Sequence, residues 1–475
     1  MNLPPHRNLT RRRFLRSSAC GFGSVALAAM CTEQAAAAAG PLAPKVPHIP
    51  PRVKRVIFMW MAGGPSQLDM FDYKPRLAKE SGEAIPYEIP DGVGMDLSRL
   101  MGPISPMRPQ GQSGMMMTDW LPHMAKHADE LCLLRAMQAD NEAHAPAARQ
   151  LHTGDPRLIR PSMGSWVGYG LGTENRNLPS FITICPLLVG DTGNVQFFGN
   201  AFLPAVYQGT ALGNRATGAE KAVFRYIEDP SLPVELQRDQ VDFIQQMNRA
   251  HLQQVRSDRQ MEGLIQSFEL AFRMQSEAPD LIDLSSESKA TLDLYGIGQK
   301  ETDEFGRQCL LARRFAEAGV RFIQITSSGW DHHEAIGKGL PKKCANIDKP
   351  TAGLISDLKA RGLFDDTLLV WSGEFGRTPH FEDFSFGDKS QYGRGHNPEG
   401  FCTWMAGGGV RGGMVHGVTD EYGLRAVDQK VHIHDLHATI LHLLGLDHER
   451  LTYRYSGRDF RLTDVYGRVV KEILA

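Results

Sequence analysis

Apolar positions in this chain fall into short unbroken runs and one long periodic stretch. VKRVIFMWM (Val53 to Met61), LCLLRAM (Leu131 to Met137), SFITICPLLV (Ser180 to Val189), RFIQIT (Arg321 to Thr326) and TLLVWS (Thr367 to Ser372) are rich in β-branched, leucine and aromatic residues. Most are closed by glycine or other turn residues. Runs of this length without polar alternation predict strands buried on both faces. LIRPSMGSWVGYGLG (Leu158 to Gly172) predicts a helix whose small residues pack on a sheet. From about residue 232 to 319 the apolar period lengthens to that of amphipathic helices, predicting a helical insertion whose Met and Phe side chains pack rather than meet a cofactor. TDEFGRQCLLARRFAEAG leads into RFIQIT, and ISDLKARGLFDD leads into TLLVWS. Helix, turn and buried strand in succession predict an α/β fold around a largely parallel sheet.

The ends of the chain read differently. TRRRFLR (Thr10 to Arg16), an apolar small-residue run and the alanines up to Ala39 form an export signal whose consecutive arginines before Phe14 and Leu15 match the twin-arginine type. Residues 1–39 are therefore read as signal, 40–52 as a Pro-rich extended linker and 53–475 as the α/β domain. This predicts an encounter with the twin-arginine export machinery, a location in the periplasm or cell envelope, and no membrane association after signal cleavage. Cys31 after Met30 fits a lipoprotein cleavage site poorly. Lys plus Arg (52) nearly balance Asp plus Glu (54), which argues against a nucleic-acid or anionic-membrane partner. Beyond the signal Cys132, Cys185, Cys309, Cys344 and Cys402 lack CxxC spacing, and no disulfide framework is expected.

Ligands of open α/β sheets sit beyond the carboxyl ends of the strands, so the residues there carry the chemistry. The first run is followed by Ser66, Asp69 and Asp72, the RFIQIT run by Asp331, His332 and His333, and TLLVWS by Glu374 and Arg377. A further loop, QYGRGHNPEG, brings His396. Asp, Glu and His together suit a divalent zinc, manganese or calcium ion, and Asp331 with His333 has a spacing that lets both face one centre. The expected ligands are Asp69, Asp331, His333, Glu374 and His396, with Ser66 the alternative to Asp69.

GGPSQLDMFDYKP, GWDHHEAI, GEFGRTP and GRGHNPEG resemble, in order, the recurring motifs of domain of unknown function 1501, a bacterial family of twin-arginine-exported, sulfatase-like proteins in the alkaline phosphatase and sulfatase superfamily. The resemblance runs from about Val53 to the C-terminus. It implies an alkaline-phosphatase-like fold and a metal-dependent attack on sulfate or phosphate esters, with an anionic small molecule or glycan ester as ligand. Glu374-Phe375-Gly376 stands where the superfamily has Asp-His-Gly, so Phe375 replaces a histidine and one metal is expected rather than two. VHIHDLHATILHLLGLDHERL resembles a superfamily helix; its spacing puts Leu436, Ile440, Leu443 and Leu444 on a core face. Aligned on Thr153-Gly154, Pro146 and Leu151 fall into place and Arg149 lies one residue late, while His144 stands at the nucleophile's position. Three roles stay open for His144: nucleophile, acid–base or metal-ligating group beside an attacking water, or neither, in a non-catalytic exported binding or assembly protein. Arg377 is expected to face the substrate oxyanion.

Overall fold

The computed structural model describes residues 40–88, 99–187, 194–225, 227, 229–255, 259–382 and 388–475. The export signal expected over residues 1–39 lies outside them. The strands of the main sheet and its neighbouring hairpin are β1 (Arg55–Ala62), β2 (Leu131–Gln138), β3 (Phe181–Ile184), β4 (Thr210–Leu212), β5 (Phe322–Ser328), β6 (Thr367–Ser372), β7 (Gly376–Glu382), β8 (Gly393–Asn397), β9 (Phe401–Gly407), β10 (Met414–His416) and β11 (Val431–His432). The nine-stranded sheet has the order β10-β2-β9-β6-β1-β5-β3-β4, with β11 also on β2. All of its pairings are parallel except those of β9, which runs antiparallel between β2 and β6. β7 and β8 form a separate antiparallel hairpin.

The helices used below are α1 (Gln67–Met70), α2 (His144–Thr153), α3 (Met163–Leu171), α4 (Val234–Val255), α5 (Arg259–Met274), α6 (Asp303–Glu317), α7 (Ile336–Ala360) and α8 (Ile433–Leu443). This is the expected α/β architecture, a mainly parallel sheet flanked by helices. Every residue of β1 is buried, as a central strand covered on both faces requires. Each such aliphatic or aromatic side chain contributes about 1.5–3 kcal/mol by leaving water. On β6 and β9, Trp371 and Trp404 are register partners whose rings stack at 6.1 Å. Leu436, Ile440, Leu443 and Leu444 are all buried on α8 and just beyond it.

Four features depart from the reading of the sequence. In the SFITICPLLV run the strand ends at Ile184, because Cys185 takes a left-handed conformation (φ 47) and turns the chain; Leu188 and Val189 lie outside the described residues. The antiparallel strand β9 and the β7–β8 hairpin had no counterpart among the expected elements. The segment 40–52 does not stand free: Lys45 N–H donates to Leu171 O, Ile49 N–H to Gly445 O and Arg52 N–H to Leu443 O, strapping it onto α3 and α8. In the insertion Ile265, Leu270 and Met274 are buried, but Phe243 and Met247 on α4 are 63% and 60% exposed. Among the described residues no helix is long and apolar enough to cross a membrane. The five described cysteines are free and buried.

Candidate metal centre

Because β1, β2, β5 and β6 run in one direction, their carboxyl ends share one rim. At that rim β1 turns through Gly63, where φ is 118° and an added Cβ would stand 2.5 Å from the Asp331 backbone nitrogen. Only glycine lets the turn after β1 press on the loop after β5. On the other side a Cβ on Gly393 would lie 2.1 Å from the His333 carbonyl, so β8 also sits directly against that loop. Both close approaches bring distant parts of the chain to Asp331 and His333.

Four side chains then converge. His144 enters from the first turn of α2, Asp331 and His333 from the loop after β5, and His396 from β8. Each offers one ligand atom, and these atoms all lie within 4.8 Å of one another. Asp331 Oδ1 is 2.8 Å from His333 Nε2 and 3.3 Å from His396 Nε2, while Asp331 Oδ2 is 3.1 Å from His144 Nε2. His144 Nε2 is nevertheless buried and has no hydrogen-bond partner. A buried imidazole nitrogen and a carboxylate oxygen that lie close without bonding are the arrangement a shared cation satisfies.

Two carboxylates stand behind the imidazoles. Glu374 is 1% exposed, and its Oε1 lies 2.8 Å from His144 Nδ1 while accepting from Gly63 N–H at 2.9 Å. Its Oε2 accepts from Trp60 Nε1 at 3.1 Å. With these donors on it, Glu374 fixes the His144 ring and places the Nδ1 proton toward itself, which leaves Nε2 for the centre. Glu382, at the end of β7, holds His333 Nδ1 at 2.5 Å in the same way. Phe375 packs against both His396, with ring centroids 4.3 Å apart, and His144, at 5.0 Å. It therefore forms an apolar wall rather than supplying a ligand.

The electrostatics follow from this packing. Burial pulls the His144 imidazole down, but the Asp331 and Glu374 carboxylates outweigh it and hold its pKa up at about 9. Asp331 and Glu382 raise His333 to about 9 as well. Partial burial, and then the neighbouring Arg377 charge, push His396 below its ordinary value. Burial alone would raise Asp331, yet the three imidazoles and the Arg377 guanidinium hold it far below the usual carboxylate range.

The expected ligands thus separate. Asp331, His333 and His396 meet, and His144 joins them from the position expected of a nucleophile. Glu374 stands behind His144 instead of in the cluster, because its oxygens are taken by Trp60, Gly63 and His144. Asp69 lies elsewhere: it is fully buried in a paired bond with Arg394, whose Nε and Nη2 are 2.8 and 3.1 Å from its two oxygens. Ser66 Oγ donates to Asp69 at 2.5 Å, so neither candidate from the first strand end reaches the centre. Arg377 is fully buried and faces no solvent. Its guanidinium donates to Gly63 O, Gly64 O, Arg394 O and, at 2.6 Å, to Asp331 Oδ1, so it ties Asp331 to the turn after β1. Glu382 was absent from the sequence reading, since an acid on an ordinary strand gives no signal until the β7–β8 hairpin sets its partner. His437 Nε2 on α8 lies 2.8 Å from Leu151 O, and His432 Nε2, just before that helix, lies 2.9 Å from Asp140 Oδ1.

The cluster opens on a cleft of about 400 Å³ lined by Trp60, Phe197, Arg149, Arg215 and Ser328 beside His144 and Asp331. That volume suits a small-molecule site. It has two arginines at its wall and His144, Asp331 and Glu374 at its floor.

Comparison with known proteins adds a family. No curated protein matches the chain. Similar solved structures include the lipoteichoic acid synthase LtaP from Listeria monocytogenes, at 10% identity and TM-score 0.37 over 86% of this chain and 74% of that one. The PsFucS1 sulfatase from Pseudoalteromonas sp. is 13% identical, with TM-score 0.36 over 84% and 69% of the two chains. An alkaline phosphatase from the Antarctic bacterium TAB5 is 12% identical, with TM-score 0.33 over 83% and 99%. The sequence itself matches the family described as Protein of unknown function (DUF1501) over residues 53–474, and the chain belongs to that family.

Proposed function

We propose that the protein is an exported, metal-dependent hydrolase of sulfate or phosphate esters, with one metal held by His144, Asp331, His333 and His396. The observation that carries this reading is the convergence of three imidazole Nε2 atoms on one carboxylate, with His144 and Asp331 of that cluster lining an open cleft. Two of those imidazoles are braced by carboxylates on their far nitrogens, the arrangement typical of metal-ligating histidines. Three nitrogens and one oxygen favour zinc or manganese over calcium, which takes oxygen ligands. A cation bound there supplies polarisation of an ester oxygen and a nucleophile at neutral pH. The chain's own part is to hold that centre, through Glu374, Glu382 and Arg377, and to bring an anion to it past Arg149. His144 is committed at both nitrogens, Nδ1 to Glu374 and Nε2 to the centre, so it serves as a ligand and not as the attacking group.

The test is metal content and ester turnover in protein purified without chelators. We expect about one equivalent of zinc or manganese per chain, and release of phenol from aryl sulfates or aryl phosphates. His144→Ala is expected to lower turnover by at least about 100-fold and to reduce the bound metal. Protein that holds no metal and cleaves neither ester class overturns the reading. A non-catalytic binding protein is the second reading, favoured by the absence of Cys, Ser or Thr at residue 144. Full metal occupancy without turnover on any ester would establish it.

Export rests on TRRRFLR and the apolar run after it. Replacing Arg11 and Arg12 together by Lys is expected to leave the protein in the cytoplasmic fraction. Unchanged recovery from the envelope or periplasm sinks that part of the proposal.

A further inference from the structure

Beside the metal cleft lies a second, more polar one of about 450 Å³, at the carboxyl ends of β3 and β5. Arg215, Leu187 and Ser328 line both, so the two spaces adjoin. Three observations set the second cleft apart from ordinary polar surface. Arg215 makes no ion pair among the described residues, and neither does Lys343, which also lines this cleft. The two cations are neighbours: burial, and then the Arg215 charge, lower the Lys343 pKa, and a Cβ on Gly329 would stand 3.0 Å from Lys343 Nζ. Gly329 itself lines the metal cleft. Finally, Thr326 is 7% exposed and lines the second cleft, yet its hydroxyl has no hydrogen-bond partner.

Two like charges held close without an acidic partner, beside a buried hydroxyl left unsatisfied, form a place where an anion finds donors. Of the two acids lining the cleft, Glu304 accepts from Ala219 N–H and Gln308 Nε2, and the exposed Glu301 forms no ion pair with either cation. We infer that the substrate spans both clefts, with its ester at the histidine cluster and a second anionic group at Arg215 and Lys343. The substrate class is therefore a hydroxyl-rich ester bearing at least two acidic groups, its hydroxyls meeting Thr326 and Asn346. This inference rests on the hydrolase reading for the role of the first cleft, while the second anion site stands on its own residues.

Binding of size-matched ligands tests it, by calorimetry on the purified metal-bound protein. The pairs are glucose 6-phosphate against glucose 1,6-bisphosphate, and one disaccharide carrying either one or two sulfate groups. The doubly charged member of at least one pair is expected to bind about tenfold more tightly, as a charge-assisted contact worth about 1.5 kcal/mol requires. Arg215→Ala and Lys343→Ala should each shrink that ratio to within about twofold of unity. Arg215 is exposed and Lys343 half-buried, so both variants should keep the parent's thermal unfolding. Equal affinities within both pairs, or a ratio that survives both substitutions, overturns the inference. The ester assay separates the two readings. Turnover without a ratio sinks only the second-anion site, and a ratio erased by Arg215→Ala in a protein with no turnover sinks only the hydrolase.

Discussion

The side chains that matter most at the centre are those that never touch its middle. Glu382 braces His333 across the β7–β8 hairpin, and loss of such a partner costs about 10–100-fold in metal affinity. Glu382→Gln is therefore expected to weaken zinc or manganese binding by that factor while far-ultraviolet circular dichroism stays unchanged. Chelator competition reads the affinity, and an unchanged constant would show that the Glu382 contact does not support the metal. Asp331, His333 and His396 read as candidate ligands because chemistry gathers at strand ends and in the loop beyond them, and the structure brings the three together. Glu374 reads from the sequence as a ligand, whereas the structure sets it behind His144. An acid on a cation and an acid behind an imidazole look alike until the distance to His144 Nδ1 is known.

At the level of elements, the Asp69–Arg394 pair ties α1 to β8 across 325 residues of chain. Neither side chain has any exposure, and removing one partner of a buried pair costs about 3–5 kcal/mol. Asp69→Asn is expected to lower the unfolding free energy by that amount while the folded fraction keeps its metal, measured by urea denaturation and elemental analysis. Loss of the metal at unchanged stability would restore Asp69 to the ligand set. The strands β1, β2, β5 and β6 were readable from apolar runs alone, since a parallel strand buried on both faces has nothing to alternate. β9 escaped because FCTWMAG (Phe401–Gly407) mixes small, sulfur and aromatic residues, and its antiparallel place depends on partners far off in sequence. The strap at 40–52 reads as a linker because proline content reports an extended backbone, not whether that backbone is docked.

Across the whole molecule, neutral buried histidines set the response to acid. Burial pushes His152 and His434 down to about 4 and His437 to about 3. In the unfolded chain each takes up a proton near its ordinary value of about 6.5, so their contribution is complete above that value and drains as pH falls toward the folded values. Stability is therefore expected to drop between about pH 6.5 and about pH 4.5, by about 1.4 kcal/mol per unit of pH for each histidine so held. His144 and His333 carry the opposite sign. Their raised values stabilise the cation-free fold below about 6.5, and that contribution is lost as pH rises through about 9, outside the acid window. Denaturant midpoints across this range test the point: a flat profile in acid contradicts it, and His437→Gln should flatten the slope in part.

The covered thiols Cys132, Cys185, Cys309, Cys344 and Cys402 bear on the order of events in the cell. An odd set of sulfhydryls, met while the polypeptide is loose in an oxidising space, invites wrong cross-links and leaves one over. Packed away beforehand, the same groups are inert and need no isomerase. On the proposed export, a chain built like this gains by completing its tertiary structure in reducing surroundings before it crosses the boundary.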